Sequence, residues 1–312
     1  MPPKVLAIVG PTASGKTRLG VAAAQALNGE VVSVDSMQVY RRMDIGTAKP
    51  TQEEMEGVPH HMIDVAEPWE EFSAARYVEL AAPCVDDILA RGKVPILVGG
   101  TGLYLDSLLS GRTFAPRSTG WREMLQARVR AEGIAPLLEE LRAVDPEAAG
   151  RLHPADAKRI LRALEIWHET GITITQHDRE SRARPPRYQA LRVGLSFADR
   201  DRLRARIDRR VDEMMDRGLA GEVAALLAGG VPPRCTAMQA IGYKEMAAVL
   251  TAGGDPAAAA EEIKLRSRQY AKRQLTWFRR AADTRWILWE GRPDFSIALQ
   301  KTTGFARAFG IG

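Results

Sequence analysis

Val5-Leu6-Ala7-Ile8-Val9 runs directly into Gly10-Pro11-Thr12-Ala13-Ser14-Gly15-Lys16-Thr17, and the architecture follows from this junction. The apolar run predicts a buried strand, and G-x-x-x-x-G-K-T predicts a phosphate-binding loop. Leu19, Ala22, Ala23, Ala26 and Leu27 then recur at helical spacing. Such a loop needs a strand to deliver it and a helix whose N-terminal N–H groups and dipole face the anion. Gly10 and Gly15 free the backbone to curl around phosphate oxygens. Lys16 adds a point charge, and the Thr17 hydroxyl suits a magnesium ion carried by the phosphates. A chance glycine-rich turn would lack the strand before and the helix after. The sequence therefore predicts a diphosphate or polyphosphate site at Gly10–Thr17.

Further along, Glu30–Val34 is β-branched and Lys93–Val98 is a short, nearly all-apolar run closed by Gly99-Gly100, with a helical pattern over Ala74–Ala90 between them. Short apolar strands separated by helices predict an α/β fold, a P-loop NTPase-like parallel sheet flanked by helices. Ligands of such sheets sit at the carboxyl ends of the strands. Those ends carry Gly10–Thr17, Asp35-Ser36 and Gly99-Gly100-Thr101.

From about Thr113 the pattern changes to helices without strands, over Trp121–Leu141 and Ala155–Thr170, punctuated by Asp145-Pro146 and His153-Pro154. Residues 113–187 read as an all-helical insertion that ends in a Pro/Arg-rich link at Arg182–Arg187. Residues 1–112 and 188–312 form the core. Tyr188–Ser196 returns as a strand, helices follow over Asp199–Arg217, Gly221–Ala228, Gly242–Thr251 and Pro256–Ala282, and Arg285–Trp289 is a last short strand.

The net charge is +5 over 312 residues. More telling is its distribution, with Arg and Lys crowded into Arg179–Arg187, Arg200–Arg210 and Lys264–Arg280. Clustered positive charge in a phosphate-binding protein predicts a polyanionic partner. Cys84 and Cys235 lie far apart without metal-ligand spacing, which predicts reduced thiols and no structural zinc. No segment reaches membrane-spanning length, and Met1-Pro2-Pro3-Lys4 leads straight into a strand, so a cytoplasmic protein without membrane attachment is expected.

Asp35, at a strand end beside the phosphate loop, suits a base that takes a proton from an acceptor, or holds water on magnesium; an exposed loop aspartate or a helix N-cap is the alternative. Thr101 follows two glycines and can touch substrate or cap the next helix. His60-His61 cannot share one face of an element and reads as structural or loop-exposed rather than metal-binding. Arg206 and Arg210 are four apart on a predicted helix, so either can reach a diphosphate, or both belong to a solvated basic face. In Lys264–Arg280, Lys264, Arg268 and Lys272 share a face, with Tyr270, Trp277 and Phe278 interleaved; this suits phosphate-backbone contacts, although an amphipathic helix would bury the aromatics.

Several strings together resemble the tRNA dimethylallyltransferases, also called tRNA isopentenyltransferases. They are Gly10–Thr17, Asp35-Ser36 leading to Tyr40, Met43–Pro50, His60–Asp64, Val98–Tyr104, Asp156–Glu165, Gln239–Glu245 and Arg268–Trp277, in family order over nearly the whole chain. The resemblance implies transfer of a dimethylallyl group from its diphosphate to N6 of the adenosine 3′-adjacent to the anticodon. On that view Gly10, Pro11, Thr12, Ala13, Ser14, Gly15, Lys16 and Thr17 hold the diphosphate, Thr17 meets Mg2+, and Asp35, Thr101 and Arg206 are catalytic, Arg206 being preferred to Arg210 by position. Asp35, Ser36, Met37, Gln38 and Thr101 would contact the target base and its neighbours. Lys158, Arg159 and Arg162, with Gln239, Gly242, Tyr243, Lys244, Arg268, Gln269, Lys272, Arg273 and Gln274, would grip the tRNA anticodon stem-loop. The chain resembles the compact bacterial form, without the zinc-finger extension of eukaryotic members, and a monomer is expected.

Three other functions share parts of this pattern. A small-molecule kinase would use the same loop on ATP. An isopentenyltransferase acting on free AMP would not need the late basic face. An RNA-binding scaffold would carry no transfer chemistry.

Overall fold

A computed structural model of the chain describes residues 1–115 and 119–311. It divides into two compact units, Met1–Leu109 with Arg187–Gly312, and Ser110–Pro186. The insertion thus begins at Ser110, where the sequence pattern places its start at 113, and ends at Pro186 rather than 187. Residues 116–118 within it and the final Gly312 lie outside the described residues.

The first unit starts with β1 (Lys4–Val9), α1 (Lys16–Ala26), β2 (Gly29–Val34), the short α2 (Gln52–Met55), β3 (His60–His61), α3 (Ala74–Ala90), β4 (Val94–Gly99) and α4 (Gly102–Ser110). After the insertion it resumes with β5 (Gln189–Phe197) and, following the insertion's five helices in number, α10 (Arg200–Asp216), α11 (Leu219–Ala228), α12 (Tyr243–Thr251), α13 (Ala257–Phe278), β6 (Arg285–Trp289) and α14 (Phe295–Phe309). The six strands form one sheet in the order β3-β2-β4-β1-β5-β6. Every pairing is parallel, with β1 at the centre between β4 and β5.

Because strand side chains alternate, the sheet feeds two cores. Val5, Ala7, Val9, Val32, Val34 and Leu97 join one with Tyr77, Leu105 and Tyr243. Leu6, Ile8, Val31, Ile96, Val98, Val193 and Leu195 join the other with Leu19, Ala23, Ala298 and Ala306. Burial on both faces explains why these strands read as continuous apolar runs. The helix α14, which no sequence motif announces, covers the second face and is capped by Asp294 Oδ1, which accepts from the backbone N–H of Ser296 and Ile297.

The His60-His61 pair forms an edge strand, paired through Val31 and Val32. Here His61 Nε2 meets the Glu30 carboxylate at 2.7 Å, and Arg91 and Lys93 reach the same group. Glu30 is 2 % exposed, and its hydrogen bonds from Arg91, Lys93 and His61 hold the carboxyl well below the ordinary range despite its burial. A buried carboxylate needs such partners.

The second unit contains α5 (Thr119–Glu132), α6 (Ala135–Val144), α7 (Pro146–Arg151), α8 (Ala157–Thr170) and α9 (Ile174–Ala183). The pattern over Trp121–Leu141 predicts one helix. Instead it breaks at Gly133, whose φ of 78° ends α5. Leu125, Leu137, Leu141, Ile160 and Leu164 close a separate small core. Asp145 ties its polar interior by accepting from Ala148 N, Thr175 N and Thr175 Oγ1.

Candidate active site

Strand β1 ends against β5, and there Gly10 has φ 144° and no room for a side chain: a Cβ would lie 2.2 Å from the Leu195 carbonyl oxygen. Ala13 (φ 62°) and Gly15 (φ 93°) turn the loop through the left-handed region. It then opens into α1 with no side chain capping the helix, so the first-turn N–H groups are available to an anion. Ser14 is 1 % exposed, and its hydroxyl has no hydrogen-bond partner among the described residues. The Lys16 ammonium donates to the Pro11 carbonyl at 2.7 Å. Burial, reinforced by the Arg210 guanidinium and opposed by Asp35, lowers its pKa to about 7.

Four distant elements hold this loop from outside. Gln274 on α13 accepts from Thr12 N at 2.9 Å and donates to the Gly100 carbonyl at 3.0 Å, joining the β1 and β4 ends through one amide. Trp289 at the end of β6 donates its indole N–H to the Ser14 carbonyl at 2.9 Å. Phe295 of α14 lies against Gly15, where a Cβ would come within 2.8 Å of the ring. Arg206 of α10 donates Nε–H to the Ala13 carbonyl at 3.1 Å and lies over Phe197.

On the neighbouring strand ends, Asp35 Oδ1 accepts from Met37 N at 2.9 Å and Gln38 N at 3.4 Å, an Asx turn that leaves Oδ2 outside it. Thr101 Oγ1 accepts from Ser36 N at 3.0 Å and lies 3.4 Å from Ser36 Oγ. Its backbone N–H donates to the Val34 carbonyl, which locks the β4 end to the β2 end. The Gln38 amide is used in full: its oxygen accepts from Ser33 Oγ, and its nitrogen donates to the Thr47 and Ala48 carbonyls. The Asp35 charge bears on Lys16, on Arg210 and on Tyr270. The three polar strand ends therefore lie together, with the Gly10–Thr17 loop on one side and the Asp35 carboxylate on the other.

The IPP transferase family model matches residues 38–281 of this chain. The chain belongs to that family. It is 45% identical over 308 residues to the tRNA dimethylallyltransferase of Bacillus subtilis, an alignment covering 98% of this chain and 96% of that protein. Its fold resembles the crystal structure of a full-length tRNA isopentenylpyrophosphate transferase from Bacillus halodurans, with TM-score 0.72, 43% identity and coverage of 98% and 96% of the two chains. It also resembles a eukaryotic dimethylallyltransferase described as acting on tRNA, with TM-score 0.81, 30% identity and coverage of 99% and 78%. The family model's match begins beyond Gly10–Thr17 and Asp35, whereas the alignment to the Bacillus subtilis protein covers 98% of this chain.

Within this family fold the two candidate arginines of α10 are differently placed. The Nε–H of Arg206 is bound to the loop backbone, whereas half-buried Arg210 acts on Lys16 and Asp35. Burial lowers the pKa of both. Arg206, preferred by position in the sequence, holds the loop backbone, and the charge of Arg210, one turn further along, bears on Lys16 and Asp35.

Several residues expected to grip RNA sit elsewhere. Tyr243 is 0 % exposed; its hydroxyl donates to Glu222 and accepts from Gly46 N, so its side chain belongs to the core. Gln274 is 5 % exposed and serves the phosphate loop. Gly242 is buried, with φ 98°, at the start of α12. Lys264 pairs with Asp212 and Arg268 with Asp208, because α13 packs on α10 and meets its carboxylates; both tie helix to helix. Gln269, Lys272 and Arg273 remain exposed on α13, and Gln239 and Lys244 on the segment before it. In the second unit Lys158 is exposed, Arg159 pairs with Asp156, and Arg162 binds Glu165 and the Ala115 carbonyl.

By sequence Tyr270 is one more aromatic of the basic helix. One turn before Gln274 on the same helix face, it is partly buried, and burial with the Asp35 charge raises its pKa to about 12. Only the docking of α13 on the strand ends reveals it.

Proposed function

We propose that the chain transfers a dimethylallyl group from dimethylallyl diphosphate to the exocyclic N6 of the adenosine 3′-adjacent to the anticodon of tRNA. The observation that carries this reading is the meeting of a diphosphate-binding loop with Asp35 and Thr101 in a protein of this family. In the reaction N6 attacks the allylic carbon, the carbon–oxygen bond breaks, and its electron pair leaves with diphosphate. The N–H groups at the start of α1, Lys16 and Arg210 would meet the charge that grows on the departing oxygens. Asp35 Oδ2 would take the N6 proton.

The oxygen-rich loop also fits a hard cation. Thr17 opens α1 with a hydroxyl, and among the described residues no group of three or more His, Cys, Asp or Glu is arranged to hold a metal. A magnesium ion would then be held by Thr17 together with diphosphate oxygens. When bound it would supply Lewis-acid stabilisation of the leaving group. The target base must leave the stack to reach the crevice, which a single-stranded anticodon loop allows at low cost. Exposed Lys272 and Arg273 suit the phosphate backbone of that loop. In this reading the monomer is the working unit. Among the described residues no helix is long and apolar enough to cross a membrane.

Labelled dimethylallyl diphosphate with magnesium, offered unmodified tRNA, AMP or no acceptor, tests the proposal, with ATP hydrolysis followed in parallel. Label in tRNA alone is expected. Label in AMP alone, or phosphate release from ATP without prenyl transfer, would overturn it.

A further inference from the structure

The peptide joining Ser14 to Gly15 is trans, so its carbonyl and its N–H point in opposite directions. Turning this peptide as a unit changes ψ of Ser14 and φ of Gly15, and glycine accepts either sign of φ. The local chain therefore leaves two orientations open. In one the Gly15 N–H faces an anion in the loop; in the other the Ser14 carbonyl oxygen does. A contact from outside the loop selects between them. Trp289, 5 % exposed at the end of β6, donates its indole N–H to the Ser14 carbonyl at 2.9 Å in a buried hydrogen bond. The indole cannot follow a turning peptide. Trp289 is paired with Phe197 of β5, its carbonyl accepts from Ala198 N at 3.1 Å, and its ring packs on Phe295 with centroids 5.4 Å apart. Phe295 in turn occupies the place beside Gly15 that a Cβ would need, and Arg18 lies over its ring. With the Ser14 carbonyl held by Trp289, the Gly15 N–H points away from the indole, and among the described residues no backbone carbonyl accepts from it.

We propose that Trp289 is a positioning residue for the diphosphate: by holding the Ser14 carbonyl outward it keeps the Gly15 N–H turned toward the bound anion. The glycine that lets the loop curl also lets this peptide flip, and a flipped peptide would set a carbonyl oxygen against phosphate oxygens, a repulsive contact. The indole hydrogen bond removes that alternative before the anion arrives, so the ordering is not charged to binding. The residue that does this is 275 positions from Ser14 along the chain and beyond residues 38–281 of the family match. This inference rests on the proposed diphosphate site at the loop and adds what orients it.

Trp289→Phe keeps an aromatic ring against Phe295 and removes the donor. Calorimetric titration with inorganic diphosphate should show Kd raised about tenfold, the effect of one hydrogen bond. The decisive readout is the Gly15 amide proton, followed by NMR at saturating diphosphate so that weaker binding by itself does not diminish it. In the wild type this proton should move downfield as it donates to the anion, and in Trp289→Phe the movement should be reduced. An unchanged Kd, or a full Gly15 shift at saturation, would overturn the proposal. The wild type supplies a second measurement that needs no variant to fold. Before diphosphate is added, the Trp289 indole N–H should exchange slowly with deuterium, and rapid exchange would also overturn the proposal. A wild-type protein that binds no inorganic diphosphate would instead overturn the role of the loop on which the inference rests.

Discussion

Lys16 Nζ donates to the carbonyl of Pro11 at 2.7 Å, so the lysine of the phosphate loop closes back on the loop that carries it. Burial, reinforced by the Arg210 charge, lowers the pKa of this ammonium to about 7. A diphosphate would reverse both effects.

The first prediction follows from this sign. Anion binding raises the Lys16 pKa, so binding takes up a proton. Diphosphate affinity is then greatest below about pH 7 and falls as the pH rises toward the pKa of the bound state, by up to about tenfold per pH unit. Calorimetry in two buffers of different ionisation enthalpy should record this uptake, and Lys16→Arg should abolish it once the protonation of diphosphate itself is subtracted. Equal uptake in both proteins would refute the assignment.

Asp35→Ala should lower kcat by about 10²–10⁴-fold, the usual range for a general base, with tRNA affinity kept. Asp35→Asn preserves an oxygen for the Met37 and Gln38 N–H groups and should lose a similar factor, separating proton transfer from the turn. A variant with normal turnover would remove Asp35 from the role.

Arg210→Gln should reduce kcat by about 10²-fold, as expected for loss of one group that stabilises the departing charge. Arg206→Gln should act mainly on KM for the donor, because its Nε–H holds the Ala13 carbonyl. The opposite ranking in single-turnover rates would return the leaving-group role to Arg206.

Gln274→Ala strands the Thr12 N–H and the Gly100 carbonyl in a buried place. Urea unfolding should show a loss of about 2 kcal/mol, and donor KM should rise because the loop is no longer tied to the β4 end. Unchanged stability would mean that solvent replaces the amide without cost.

Changing Lys272 and Arg273 together to Ala should weaken tRNA binding and reduce the slope of log K against log salt by about one to two. Lys264→Ala should leave that slope nearly intact, since Lys264 is paired with Asp212 and Glu261. Equal slopes for all three proteins would place the RNA elsewhere.

The phosphate loop is legible in the sequence because its physics is local. Strand, glycines, lysine and helix start are contiguous, and Gly10 and Gly15 take the positive φ that glycine adopts freely. The central parallel strands are legible for a related reason, since burial on both faces leaves a run of apolar residues in the chain itself. The edge strand His60–His61 is not, because two residues carry no periodicity and pair only through Val31 and Val32. Helix α14 likewise owes its place to covering α1 and the sheet rather than to any motif.

The order of residues was enough to expect a phosphate-binding loop at the end of the first strand, with Asp35 following β2 and Thr101 following β4. It was not enough to say which members of the late basic helix face where. Gln274 and Thr12 are 262 residues apart, and the amide between them depends on how α13 docks. That docking turns Tyr270 and Gln274 inward, commits Lys264 and Arg268 to the carboxylates of α10, and leaves Lys272 and Arg273 in solvent. Helical spacing states which residues share a face; what that face meets is settled by long-range packing.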